Sequence, residues 1–474
     1  MSSYTISPTL NKSKVFILQK SELEKRLDPQ FYKQEYKDNL EKIKRINHTR
    51  LGEVVKFSTE TWNQKDFFDS TFPYIEISEI DTISGEIQNI VQVEKEKAAS
   101  RAKMIVREND IIISTTRPNR GAISLIRKEQ DFSIASTGFS VIRNITNPEI
   151  DREYLFTILR QKIILKQFEQ RSSGGNYPAI TQEELCSVTI PLPEKEIQKK
   201  IVKVFNGCFA QKQKNEAEAE KLLSSIDDYL LNELGIKLPE PPENTLKNRM
   251  FVTNISELSG SRFDPHFNNF FFKDVFNSFS KGKFSISRIK DVLDNIKTGT
   301  TPHQKLDPFT DSEGVVFLRN TNLKKYHIDL SDTKYVKTEF AKELTYSVKG
   351  EVIMCIAGTV GLSALNDVEN PISINQNVSA LKFDETKINP DFASYWFNTN
   401  IFLELTKRAC SVATIFYLNN DNLKLLPLPV PPLDKQKEIA KHITGIRQQA
   451  QQLKDKTNEL LKKASEKIEK ILLG

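Results

Sequence analysis

Arginine, lysine, asparagine, glutamine, threonine or tyrosine residues mark a few short stretches of this 474-residue chain, several of which also hold glycine, serine or proline. They are Arg117-Pro118-Asn119-Arg120-Gly121, the segment from Gln170 to Tyr177, Lys297 to Lys305, Arg319 to Lys325, Asn375-Gln376-Asn377, and Ser411 to Tyr417. A guanidinium or amide can grip a flat hydrogen-bonding edge through two bonds at once, which is how base edges are read in a DNA groove. Candidates for such contacts are Arg117, Asn119, Arg120, Arg171, Ser172, Asn176 and Tyr177 in the first half. In the second half they are Lys297, Thr298, Thr300, His303, Lys305, Arg319, Asn320, Asn322, Lys324, Asn375, Gln376, Asn377, Thr414 and Tyr417. The Ser-Ser-Gly-Gly run at 172–175 permits close backbone approach to a phosphate, and Tyr177 could pack on a sugar or base. The same residue types also serve plain structure. Asn375-Gln376-Asn377 could merely satisfy turn backbone, and any single candidate could touch phosphate or stand idle on the surface.

Catalytic chemistry finds no footing. A nucleotide-driven motor needs G-x-x-x-x-G-K-[ST], and an adenine methyltransferase needs a glycine-rich loop with an Asn/Asp-Pro-Pro-aromatic motif. Neither occurs, and the nearest string, Asn176-Tyr177-Pro178, has the wrong order. Glu94-Lys95-Glu96-Lys97 reads as a solvated charge run. Cys186, Cys208, Cys355 and Cys410 form no C-x-x-C pair and the five histidines no ligand cluster, so we expect reduced, buried thiols and no metal. A net charge of +6 from 68 Lys+Arg against 62 Asp+Glu permits a polyanionic partner without requiring one. With no apolar run of the ~18 residues that a membrane span needs, and no apolar segment in MSSYTISPTLNKSK, we expect a cytoplasmic protein.

The elements that hold these stretches come twice. Arg26-Leu27-Asp28-Pro29 returns as Arg262-Phe263-Asp264-Pro265, and Val188 to Val202 returns as Leu426 to Ala440, which sets Gln198 against Gln436 at a spacing of 238. Leu51-Gly52-Glu53-Val54 matches Ile289-Lys290-Asp291-Val292 at the same spacing, while the interiors have drifted apart. Such a period is far too long for a solenoid. Short bursts such as Asp110-Ile111-Ile112-Ile113-Ser114 predict mixed sheet, and Asp151 to Gln170 and Asp391 to Leu405 each predict a helix late in its copy.

Ile190-Pro191-Leu192-Pro193 closes the first domain, because proline opposes central strand pairing and a continuing helix. A long helical pattern follows in each copy. The first runs from Glu194 to Leu234 with its weak point at Gly207. The second places Ile439, Ile443, Ile446, Ala450, Leu453, Thr457, Leu460, Ala464, Lys467 and Ile471 on a heptad seam. Neither helix can bury its stripe alone. We expect the two to pair antiparallel, against the alternative that each packs on its own domain or on another chain. The expected domains are 1–193, a helix over 194–236, a proline-rich linker over 237–250, 251–431, and a helix over 432–474.

This order of elements, the R-L/F-D-P opening and the P-L-P junction into a long helix resemble the specificity subunit of type I restriction-modification systems. In the second copy Ile296-Lys297-Thr298-Gly299-Thr300-Thr301-Pro302, Val316 to Leu323, Gly358-Thr359-Val360-Gly361 and Ile374-Asn375-Gln376-Asn377 look like that family's target-recognition domain. The first copy departs from it, with Ser58-Thr59-Glu60-Thr61-Trp62 at the G-T-T-P turn and Glu76-Ile77-Ser78 at Arg319-Asn320. The resemblance implies an α+β fold: two tandem-repeat target-recognition domains joined by long helices in an antiparallel coiled coil with pseudo-twofold symmetry. It implies a subunit without catalysis that reads a bipartite, asymmetric site in double-stranded DNA, one half per domain, across a gap set by the helices. The implied partners are two copies of a methyltransferase subunit, which would carry S-adenosylmethionine, and an ATP-dependent restriction and translocase subunit. No cofactor is expected on this chain. Arg26, Asp28, Arg262, Asp264, Gln198 and Gln436 belong to the shared frame, where we expect folding or partner docking. A coiled-coil protein scaffold with no nucleic-acid role is the alternative from another class.

Overall fold

The computed structural model describes residues 15–24, 26–63, 68, 70–243, 245, 248, 250, 252, 254–255, 264, 267–310, 313–410 and 416–474. They form two compact units, one of the chain through Glu216 with Lys454–Gly474, the other of Ala217–Leu453. Each long helix thus contributes one half to each unit.

In the first unit, four antiparallel strands run in the order Val55–Phe57, Phe139–Ile145, Ile111–Ser114, Ile123–Leu125. A second sheet orders Val91–Glu94, Thr71–Ile75, Ile134–Ser136, Ala102–Ile105, with the middle pair parallel. Strand Ile111–Ser114 is buried on both faces: Ile111 and Ile113 enter one apolar cluster, Ile112 another. That is why its sequence is continuously apolar rather than alternating. Helix Gln34–Lys44 covers the unit through Tyr36, Asn39 and Ile43.

The second unit repeats this plan on different residues. Its four-stranded sheet is Leu293–Thr298, Val378–Phe383, Val352–Cys355, Ser363–Leu365, and Val315–Leu318 again lies parallel to Ile372–Ile374. Val352–Cys355 likewise divides its side chains between two clusters. Trp396 is fully buried and donates its Nε1–H to the Pro427 carbonyl at 2.9 Å. All four cysteines are free thiols, Cys355 and Cys410 fully buried and Cys186 and Cys208 half-buried.

One sequence expectation is corrected here. The late helix of each copy is two helices, Arg152–Leu159 with Lys162–Arg171, and Pro390–Phe397 with Asn400–Ala409. Gln161 and Thr399 leave the helical region at the N-cap position of the second helix of each pair, Thr399 accepting the Phe402 amide, which turns the chain while keeping the apolar period. The prolines, which oppose central pairing, stand in non-central strands: Thr189–Pro191 pairs with His48–Arg50, and Pro427–Pro429 with Ile286–Arg288. Each is a separate two-stranded ribbon, where the missing proline N–H faces no neighbour.

The long helices run over Lys195–Leu234, unbroken at Gly207, and Leu433–Leu473. Within each unit their halves are antiparallel. In the first, Asn215 bonds Thr457 at 3.1 Å and Ile201 shares a core with Ile468 and Leu472. In the second, Glu233 pairs with Lys435 at 2.7 Å and Tyr229 stacks on His442. The predicted seam holds to Thr457 and then slips by one residue. Leu460 and Lys467 are exposed, whereas Ile468 and Leu472 are buried, because a straight helix of 3.6 residues per turn drifts off a 3.5-residue repeat.

Gln198 and Gln436 hold helix to domain identically. The side-chain oxygen of Gln198 accepts from the Asp151 amide, and its Nε2 donates to the Glu149 and Pro193 carbonyls. Gln436 accepts from the Asn389 amide and donates to Lys387 and Pro431. At 1% and 0% exposure neither is part of a docking surface, which corrects that expectation: their polar atoms are consumed by backbone groups with no other partner in reach. Gln198→Leu should leave these groups buried and unpaired, costing about 1–3 kcal/mol. Thermal unfolding should show it as a loss of about 2–4 °C per kcal/mol, and an unchanged midpoint would deny the clamp energetic weight.

Candidate nucleic-acid interface

At one end of the first unit, the turn 115–121 and the loop 172–180 are laced together. Thr116 and Ser173 each form a β-bridge to Ala179, and the Arg117 amide donates to the Pro178 carbonyl at 2.7 Å. Arg117 adopts a left-handed backbone (φ 48°), unfavourable for a long side chain and held by its surroundings. Its Nη2 donates to the Asn176 carbonyl at 2.7 Å and its guanidinium lies 4.2 Å from the Tyr177 ring centroid. Tyr177 is 70% exposed all the same, a fixed aromatic face presented to solvent. Asn119, Arg120 and the Asn176 side chain are exposed beside it.

Arg171 and Ser172 do not join this group. The Arg171 side chain is 8% exposed and pairs with Glu184 at 2.8 Å and Glu24 at 3.3 Å, and the Ser172 hydroxyl donates back to the Phe168 carbonyl. Arg26 belongs to the same partly buried knot, donating to Asp28 and to the Arg171 carbonyl, each at 2.8 Å. Asp28 accepts the Phe31 amide, and Asp264 accepts the Phe267 amide in the second copy. These frame aspartates cap the turn that follows them. Arg262 lies outside the described residues.

In the second unit the turns after Thr298, Cys355 and Ile374 converge. Gly299 sits so close to the carbonyls of Ile374 and Asn375 that a Cβ would stand 2.2 Å from both oxygens, so no side chain fits. Thr301 bonds Gln376, Ala357 bridges Tyr417, and the Ile356 amide donates to the Asn377 carbonyl. His303, Lys305, Gln376 and Tyr417 are exposed around this cluster. Phe416 is exposed next to Tyr417, a large apolar face that hydrogen-bonding residue types do not signal.

Several candidates are occupied within the fold. Lys297 pairs with buried Glu351 at 2.8 Å. The Thr298 hydroxyl bonds Ser379 and Asn420, and that of Thr300 bonds the Glu343 carbonyl. Arg319 donates to the Asp332 carbonyl, Asn322 is buried on the carbonyls of Asp329 and Asp332, and Asn320 is half-buried with its side-chain amide against Gly358. Asn375 is 7% exposed and accepts the Asn377 amide, the turn-satisfying role of its type. Lys324 is exposed on a separate hairpin, Leu323–Lys324 with His327–Ile328, whose Lys325 faces Asp227 of the first long helix at 3.6 Å. Thr414 lies outside the described residues.

The first copy's substitute for the G-T-T-P turn is anchored differently. Glu60 bridges Arg107 and Arg143, each at 2.7 Å, and Arg143 also pairs with buried Asp110 at 2.7 Å. Trp62 donates to the Ala102 carbonyl at 2.6 Å. An ionic knot thus holds the turn that backbone closeness holds in the second copy.

Among the described residues there is no group of three or more His, Cys, Asp or Glu that could hold a metal, and no helix long and apolar enough to cross a membrane. A family model for the type I restriction modification DNA specificity domain matches residues 44–222 and again 281–469. The chain belongs to that family. Among its relatives is the type I restriction enzyme MjaVIII specificity subunit of Methanocaldococcus jannaschii, 22% identical over 78% of this chain and 80% of that one. The putative MjaX specificity subunit of the same organism is 24% identical over 84% and 86%. The crystal structure of the HsdS subunit from Thermoanaerobacter tengcongensis aligns over 90% of this chain and 96% of that one, at 23% identity and a TM-score of 0.36.

The hydrogen bond from Arg107, more than any other cause, holds the Glu60 carboxyl below its usual range. A depressed folded-state value means that the contribution of Glu60 to stability is complete above the unfolded carboxylate range and is lost as pH falls through the folded value. Arg107→Met should therefore move the Glu60 titration, followed by carbon NMR of the side chain, upward toward the ordinary range. An unmoved titration would assign the depression to Arg143 instead.

Proposed function

We propose that this chain is the non-catalytic sequence-reading subunit of a type I restriction-modification complex, with each unit contacting one half of a bipartite site in double-stranded DNA. The observation that carries this reading is the pairing of one scaffold with two differently built sets of turns. Gln198 and Gln436, the proline ribbons and the parallel strand pairs agree between the copies. The Arg117–Tyr177 stack in the first and the Gly299 and Tyr417 turns in the second do not. Scaffold shared and contact surface divergent is what reading two unlike half-sites requires.

In this reading Arg120, Asn119, Asn176 and Tyr177 meet the first half-site, with Arg117 setting the tyrosine. Gln376, Asn377, His303, Lys305 and Tyr417 meet the second. Arg and amide groups supply base-edge contacts, lysine supplies phosphate contact, and tyrosine supplies packing against sugar or base. The paired helices act as the ruler between the half-sites. Two methyltransferase subunits carrying S-adenosylmethionine provide the chemistry on adenine, and an ATP-dependent translocase subunit can join them. The chain itself binds no cofactor.

The complex reconstituted with its methyltransferase should methylate one bipartite sequence, detected by mapping methylated adenines. Its affinity for that DNA should fall steeply with salt, with a log–log slope of about −0.9 for each phosphate neutralised. Tyr177→Ala with Arg120→Ala should weaken binding by about 1–3 kcal/mol and relax selectivity at the first half-site only. DNA binding that ignores salt, or equal relaxation at both half-sites, would refute the reading.

Inserting one turn, about 3.6 residues, into both long helices should lengthen the gap that is methylated and leave both half-sites as they were. A changed half-site with an unchanged gap would remove the helices from the role of ruler.

A further inference from the structure

In the first unit a cavity of about 380 Å³ lies where helix Lys162–Arg171 begins, between the turn at Thr82–Ser84 and the last helix. Arg160, Lys162 and Lys462 line it, and Phe205, Phe209 and Leu461 give it an apolar wall. Phe205 and Phe209 are stacked, their planes 10° apart. The Arg160 guanidinium is bonded only to carbonyls: those of Gly121 and Ile123 through Nη1, and of Thr82 and Ile83 through Nη2. Its Nε is buried without a hydrogen-bond partner. Burial pushes the guanidinium pKa down to about 10, against the pull of Asp81. Asp81 is itself engaged by the Ile83 and Ser84 amides and faces Lys212 at 3.7 Å.

The second unit shows what occupies the matching place. Helix Asn400–Ala409 is the counterpart of Lys162–Arg171 at the repeat spacing, so Asn400 corresponds to Lys162, and by the same spacing Asp227 corresponds to Ser465. The Asn400 amide, at the helix N-terminus, donates to the Asp227 carboxylate at 2.8 Å. In the first unit Ser465 stands there, bonded through its hydroxyl to the Gln161 side chain at 3.1 Å. The neighbours have changed in the same sense. Asn398, Asn400 and Ser224 in the second unit are Arg160, Lys162 and Lys462 in the first. At these four matched positions the second unit carries three neutral side chains and a carboxylate, which Lys325 also faces at 3.6 Å, and the first carries three cations and a hydroxyl.

We propose that the cavity of the first unit is a binding site for a phosphate group, occupying the position that the second unit fills with its own Asp227 carboxylate. Three cations at a helix N-terminus favour a multiply charged oxyanion over a single carboxylate. The volume is that of a small-molecule site, and the paired phenylalanines suit the flat base of a nucleoside phosphate. The same phosphate chemistry could come from free phosphate or from a nucleotide, which a binding experiment separates.

The test is thermal unfolding of the full chain in inorganic phosphate, in AMP and in adenosine, each with ionic strength held equal by potassium chloride. Phosphate and AMP should both raise the midpoint in a saturable way, and adenosine should not. AMP acting at concentrations at least about tenfold lower than phosphate assigns a nucleotide, and equal potency assigns free phosphate. Ser465→Asp, which installs the second unit's carboxylate, should raise the midpoint without ligand and abolish the response to both anions. Lys462→Gln should weaken the anion response about tenfold with little effect on the unliganded midpoint. Neither variant should alter affinity for duplex DNA, which separates this site from phosphate contacts at the turns. No response in the unsubstituted chain, a response that survives both substitutions, or stabilisation by adenosine alone would overturn the proposal.

Discussion

Two long amphipathic helices that cannot stand alone in water are the constraint from which the rest of the structure follows. Each must hide an apolar stripe along some 40 residues, Lys195–Leu234 in one case and Leu433–Leu473 in the other. Each hides half of it in either unit. Ile201 goes with Ile468 and Leu472 in one core, Ile226, Leu230 and Leu234 with Ile439 and Ile443 in the other. The stripe is not apolar throughout. Lys212 sits on it with its side chain 6% exposed, paired with Glu216 at 2.8 Å and with Glu86 at 3.5 Å, and Asn215 bonds Thr457 nearby. A buried lysine with such partners adds little net stability. It does penalise any sliding of the helices, because a shifted register would strand the charge and the amide in an apolar layer.

Because the frame is fixed by backbone-directed bonds, the parts it carries are free to differ. The glutamine clamps bond carbonyls and amides, groups that every residue offers, so substitutions around them leave the joint intact. The exposed turns answer to no such rule. In one copy the turn after the first strand of the four-stranded sheet is held by Glu60 between two arginines, in the other by Gly299 against two carbonyls. Two unrelated local solutions on one sheet order are what duplication followed by divergence leaves behind.

The sequence showed the frame better than the surface, for physical reasons. Periodicity reports on burial, so the duplicated organisation, the helices and their antiparallel pairing could be read from it. It reports averages, however, and the late helix of each copy breaks at Arg160–Gln161 and Asn398–Thr399 without disturbing the apolar spacing. The seam likewise slipped from Lys467 to Ile468, where a strict heptad count forced a lysine inward. Proline at 191 opposes central pairing only, and the sequence does not say that the ribbon it joins has just two strands. For the candidate residues the obstacle is that a side chain suited to a base edge is equally suited to a carbonyl of its own fold. Arg171, Arg319 and Asn322 are held by such internal partners, and no composition could distinguish them from Arg120.

Arg117 shows what the internal partners are for. A guanidinium engaged by the Asn176 carbonyl and the Tyr177 ring is poorly placed to grip a base itself, yet it packs against the tyrosine within the free protein. Ordering one rotamer-rich side chain on binding costs about 0.5–1.5 kcal/mol, and the left-handed backbone at Arg117 costs a comparable amount that the fold supplies in advance. The residue that most resembles a reader by type is thus engaged within the fold, and the neighbouring tyrosine, which carries no charge and one hydroxyl, is the group left exposed.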